Sequence, residues 1–130
     1  GILLFDSSSL PDLATITSAT FSTYGTAANT KTNQLGDPNY HVAASTPASN
    51  TSLAASDYGN VGTTSFGSVA YASFGSDQYN DVTLDANGIA NISKNGISKF
   101  SAQLSWDINN SFTGTWSSQA TTSCWPATAS

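Results

Sequence analysis

Phe100, Ala102, Leu104, Trp106 and Ile108 alternate with Ser101, Gln103, Ser105 and Asp107, and five apolar positions in strict period two predict a half-buried β-strand over 100–108. Ile2-Leu3-Leu4-Phe5 followed by Asp6-Ser7-Ser8-Ser9 reads as a short buried strand running into a turn. Pro11 continues that connection, because its fixed φ and missing N–H remove it from any ladder. A second strand is expected over 16–24, with a bulge where the phase slips before Ala19. Residues 25–39 read as loop, 40–44 as a short strand, and 51–67, punctuated by Gly59, Gly62 and Gly67, as mostly loop. Strands over 69–74 and 79–84 flank Gly75-Ser76-Asp77, which predicts a hairpin. Asp85 stands before Ile89 and Ile92 as a cap for one turn of helix. Residues 113–118 and 120–125 supply two further strands before Pro126 ends the pattern.

The expected fold is therefore all-β: an antiparallel β-sandwich or jelly roll of about eight short strands with at most one helical turn. Parallel α/β architectures are excluded for want of crossover helices. One domain is expected over 1–130, with 1–5 as an exchanged or edge strand and 126–130 as a tail.

Composition agrees with that pattern and narrows the chemistry. Ser, Thr, Asn and Gly fill 60 of the 130 positions, while Arg, Glu and Met are absent, so helix is disfavoured almost everywhere. Leu, Ile, Val and Phe are sparse, but a net charge of −5 is too small for the usual charge-driven disorder. With only Lys31, Lys94 and Lys99 as cations, the chain cannot neutralise a phosphate backbone, and nucleic acid is excluded as a partner. No run approaches the ~20 apolar residues of a membrane span. A surface held soluble by hydroxyls and amides suits an extracellular or cell-surface location, where the chain would be a mature protein or an excised domain.

Catalysis has little to work with. His41 is the one histidine and sits in a short strand, and no pair of Asp residues stands out as an acid and base, so no enzyme is expected. One His and the single Cys124 cannot build a structural zinc site, and Cys124 can form only an intermolecular disulfide. No cofactor is expected; the weak exception is calcium, for which Asp77, Asn80, Asp81 and Asp85 cluster in sequence and Asp57-Tyr58-Gly59-Asn60 forms a second acidic turn. Trp116 and Trp125 are candidate sugar platforms, whereas Trp106 shares the core phase of Leu104 and Ile108. Asn50, Asn91 and Asn109 head Asn-x-Ser/Thr sequons, in the number expected by chance for this composition.

Phe5-Asp6-Ser7-Ser8-Ser9-Leu10-Pro11, with Ala14 to Phe21 after it, resembles the opening of the DNRLRE-like domains, and Tyr79 to Leu84 with Gly88-Ile89, Ile92, Lys94 and 96–100 resembles their later strands. The resemblance covers about a third of the chain and implies a jelly-roll module of secreted proteins related to carbohydrate-binding modules. Such modules usually carry a strand before the Phe-Asp-Ser segment and close on an apolar strand; here Gly1 to Leu4 precede it and Cys124-Trp125-Pro126 leads to the end. Absent border strands leave a sheet edge open to strand addition. The expected function is a structural subunit of an extracellular filament, surface layer or virion appendage, self-assembling through Ile2, Leu3, Leu4 and Phe5. The alternative is a carbohydrate-binding or adhesive module with glycans as partners.

Overall fold

The computed structural model describes residues 1–25 and 38–111 and the strand 124–126. Two antiparallel sheets face each other. The four-stranded sheet has the order β1 (Ile2–Asp6), β6 (Ile97–Leu104), β3 (Asn39–Ser45), β4 (Val61–Ala70); the three-stranded sheet has the order β5 (Gln78–Thr83), β2 (Thr20–Gly25), β7 (Cys124–Pro126). The all-β sandwich is thus present, and among the described residues it has six strands of five residues or more and a three-residue seventh, against the eight or so expected. The expected strand at 113–118 and the loop at 26–37 lie outside the described residues.

The alternation of side chains builds the interior. On the inner face of the three-stranded sheet, Phe21 opposes Val82 and Thr23 opposes Asn80. The four-stranded sheet answers with Tyr40, Val42, Phe66 and Phe100, and Phe74 and Leu84 close the ends of this cluster. Phe100 is the hub, edge-on to Phe5, Phe21 and Phe66 with ring centroids 5.7–6.4 Å apart.

Four expectations are corrected. The strand predicted over 100–108 stops at Leu104, and Trp106 and Ile108 fall instead in α2 (Ser105–Ile108). Where the next ladder pair would form, the Ser105 hydroxyl takes the Asn39 N–H at 2.8 Å, and the chain coils away. The strand expected from residue 16 begins at Thr20, because β5 ends opposite it at Thr83 and offers 16–19 no ladder beyond Leu84 N–H to Ala19 C=O. The segment 51–67, expected as loop, holds the 3-10 turn Ala55–Asn60 and most of β4, a ten-residue strand whose two register shifts against β3 erase its period-two signal. The strand expected over 69–74 gives way at Tyr71–Ser73 to a 3-10 turn.

The hairpin therefore does not exist as such: β5 pairs with β2 in the opposite sheet, so the chain crosses the sandwich between β4 and β5. Asp77, at φ 56°, makes that corner and donates its N–H to Gly25 C=O. Helical content also exceeds one turn. Besides α1 (Ala86–Ala90), capped by Asp85 as expected, there are α2 and two 3-10 turns.

At the β4/β5 corner the two sheets touch backbone to backbone. Asp85 donates to Phe66 C=O at 2.7 Å, and Gly67 lies so close to β5 that a Cβ there would strike Thr83 O and come within 2.9 Å of Val82 Cγ1. Gly67→Ala is therefore expected to destabilise by about 1–3 kcal/mol, the usual cost of overpacking. A thermal melt indistinguishable from wild type would mean that the corner is looser than this packing implies.

Candidate functional site

The sandwich has two flanks. The β4/β5 flank is closed by its own chain through the corner just described. The other flank carries β1 on one sheet and β7 on the other, and there the closure is incomplete: β7 pairs only with Thr23, Tyr24 and Gly25, leaving residues 20–22 of β2 without a partner on that side among the described residues. Phe5 stands opposite this gap, its ring edge-on to Phe21 at 5.7 Å and the residue 37% exposed.

β1 is laid along β6 with Leu3 opposite Phe100 and Phe5 opposite Ser98. Gly1 and Ala102 exchange both backbone hydrogen bonds, at 2.7 and 2.8 Å, and Ser7 N–H reaches Gly96 C=O at 3.1 Å. Antiparallel ladders alternate, so residues 1, 3, 5 and 7 turn their backbone groups toward β6. Ile2, Leu4 and Asp6 turn theirs away from it. Among the described residues no strand meets these outward groups.

The edge is also chemically unguarded. Exposed edges are normally blunted by Lys, Pro or bulges, yet β1 reads Ile-Leu-Leu-Phe-Asp and is charged only at its last residue. By contrast, β4 is bulged twice and β5 carries Asp81. Asp6 accepts both the Ser8 hydroxyl at 2.6 Å and the Ser8 N–H at 3.0 Å, which holds its carboxyl below the usual range and keeps it ionised. Beside the start of β1 an apolar groove of about 320 Å³ opens between the sheets, lined by Leu3, Tyr40, Tyr71, Phe74, Ala102 and Leu104.

The outer face of the four-stranded sheet is covered rather than open. Ser101 and Gln103 are buried there, Gln103 beside Leu53, Ala54, Asp57 and Tyr58: Ser101 Oγ donates to Ala44 C=O, and Gln103 Nε2 to Gly62 C=O at 2.7 Å. Asp57, at 2% exposure, holds this loop by accepting the N–H groups of Ala54 and Ala48 and the Asn60 amide; the Ala54 and Ala48 bonds keep its carboxyl below the usual range. The acidic turn seen in sequence is thus a loop clamp.

The remaining candidates are dispersed. Asn80 points inward and engages Gly75, Thr23 and Gln78 backbone groups, while Asp81 faces out and accepts from Ser22 Oγ. Asp85 caps α1 through Gly88 N–H, and Asp77 accepts from Tyr24 OH. The four proposed calcium ligands therefore do not converge, and among the described residues no three His, Cys, Asp or Glu side chains gather. Trp116 lies outside the described residues, as does the side chain of Trp125, whose backbone pairs with Tyr24 in β7. Asn50 and Asn109 are exposed, but the Asn91 amide nitrogen that a glycan would occupy donates to Lys99 C=O at 2.9 Å.

Alternation in 78–84 places Tyr79 in phase with Asp81, a signal sequence reading passed over. The structure puts Tyr79 beside Tyr24 on the outer face of the three-stranded sheet, at 5.2 Å between centroids and 60% exposed. Both nitrogens of the half-buried His41 meet serine hydroxyls, those of Ser65 and Ser105, and no carboxylate among the described hydrogen bonds orients the ring. No helix among the described residues is long and apolar enough to cross a membrane. Comparison with protein-family models, curated proteins and solved structures gives no match.

Burial lowers the His41 pKa, so the unfolded chain binds a proton there more readily than the folded one, and stability falls as pH drops below about 6.5. Asp57 and Asp6, lowered by hydrogen bonds, contribute stability above their unfolded value that is lost as pH falls below about 4. Urea unfolding from pH 7 to pH 3 should show two declines, and His41→Gln should flatten the first and spare the second. A first decline unchanged in that variant would assign it to another group.

Proposed function

We propose that the chain is a non-catalytic structural subunit of an extracellular assembly, a filament, surface layer or virion appendage, whose copies join at the open β1 flank. One observation carries this reading. The molecule closes its β4/β5 flank with its own backbone, and among the described residues nothing pairs with the apolar edge strand on the other flank, beside an exposed Phe5. A row of outward N–H and C=O groups on a strand charged only at its last residue is a template for another strand. Edge pairing fits the geometry better than exchange of 1–5, because β1 is already bonded to β6 from Gly1 to Ser7. The resemblance of 5–21 to secreted jelly-roll modules agrees with the location.

Sedimentation and electron microscopy of the purified chain should show concentration-dependent oligomers, and Leu4→Lys, which places a charge on the edge, should raise the concentration needed by tenfold or more. Monodisperse monomers at about 1 mM, beyond which pairing is too weak to serve an assembly, would remove the proposal.

A second reading, a glycan-binding or adhesive module, is favoured by the outer face of the three-stranded sheet. There the Tyr24/Tyr79 pair and the Ser22/Asp81 pair succeed each other along β2 and β5, giving an aromatic surface beside a hydrogen-bonding carboxylate, the combination that stacks and grips a pyranose. Polysaccharide pull-down abolished by Tyr79→Ala, a surface change expected to alter stability by no more than about 0.5 kcal/mol, would support it. Retained binding in that variant would place any sugar elsewhere.

A further inference from the structure

Resting on the assembly reading, we infer that the partner of β1 is β1 of a second copy, joined antiparallel about a two-fold axis through Leu4. The outward backbone groups belong to Ile2, Leu4 and Asp6, as the β1–β6 ladder requires. The edge ends at Asp6, because Ser8 N–H turns back to the Asp6 carboxylate. Only one antiparallel self-register lets all three outward residues pair: Leu4 with Leu4 of the copy, and Ile2 with Asp6 at either end. Shifting by two residues in either direction leaves two pairs.

The same register solves the side-chain problem. On the inner face it sets Phe5 against Leu3 of the copy, as a close non-hydrogen-bonded pair with Cα atoms about 4.5 Å apart, and the symmetry repeats this so that the Phe5 of each copy gains a leucine. Like charges are kept apart as well: the two Asp6 residues sit at opposite ends of the pairing, about 13 Å from each other at the usual rise per residue and beyond the screening length of physiological salt. The product is a continuous eight-stranded sheet closed by two-fold symmetry, so it is a dimer, and any filament or layer is built from such dimers through a second contact.

Two experiments test the register. In a Cys124→Ser background, which removes the native thiol, Leu4→Cys should form a disulfide dimer on mild oxidation, since hydrogen-bonded antiparallel pairs place Cα atoms about 5.5 Å apart, within disulfide reach. Ile2→Cys and Asp6→Cys should cross-link when mixed and far less when alone. Cross-linking of Leu4→Cys no faster than Leu13→Cys, at a residue 96% exposed and outside β1, overturns the proposal.

Leu4→Pro removes an N–H that β6 does not use, so it should keep the wild-type circular dichroism spectrum while losing the dimer. Wild-type assembly in a folded Leu4→Pro variant rejects this register and leaves assembly through another border standing. A wild-type chain that stays monomeric removes both.

Discussion

Everything in the four-stranded sheet depends on β6, which pairs with β1 over Ile97–Ser101 and with β3 over Phe100–Leu104 and buries side chains on both of its faces. Its even-numbered residues Phe100, Ala102 and Leu104 face the other sheet or the groove beside it, and its odd-numbered Ser101 and Gln103 are buried on the outer face, Gln103 beside Leu53, Ala54, Asp57 and Tyr58. A strand enclosed in this way cannot leave its odd side chains to water, so each must find a protein partner. Ser101 and Gln103 find theirs in the carbonyls of Ala44 and Gly62, which ties β6 to β3 and β4 beyond the ladder itself. Loss of the Asp57 clamp would therefore expose a polar layer rather than merely loosen a surface loop.

What the sequence made legible follows from how local each signal was. The alternation at 100–104, the Asp85 cap and the strand at Ile2 each depend on neighbours in the chain, and each stands in the structure, although that first strand is half-buried to exposed rather than buried as expected. The errors arose where distant residues decided. Nothing near Ser105 says that its hydroxyl will meet Asn39 and end the strand, and period two continued through Trp106 and Ile108 only by coincidence with the helix that replaced it. β4 was hidden because an edge strand with Gly62, Gly67 and two bulges keeps no steady alternation.

The candidate site divides in the same way. That Ile2 to Phe5 form a strand was readable; which of their backbone groups face outward was not, since that depends on the register against β6, a partner almost a hundred residues away. The clustering of Asp77, Asn80, Asp81 and Asp85 misled for the complementary reason. Closeness along a strand places consecutive residues on opposite faces, so Asn80 went to the interior and Asp81 to solvent. Sequence proximity suggests a metal site only when the backbone curls its residues toward one point, and an extended strand does the reverse.

The asymmetry of the two flanks has an energetic sense. At β4/β5 the sheets approach so closely that Gly67 and Asp85 can join them by backbone contact, and the bulges of β4 turn that border away from straight pairing. A sandwich that used the same device at both flanks would have no regular edge left. This one keeps β1 apolar up to Asp6 and in uninterrupted register with β6, and its Phe5 packs edge-on to Phe21 and Phe100 while staying partly exposed. Burying that ring and satisfying three outward residues of backbone require the same object, a short extended strand with an apolar side chain opposite Phe5. Leu3 of another copy of β1 answers that description, which makes the edge complementary to itself.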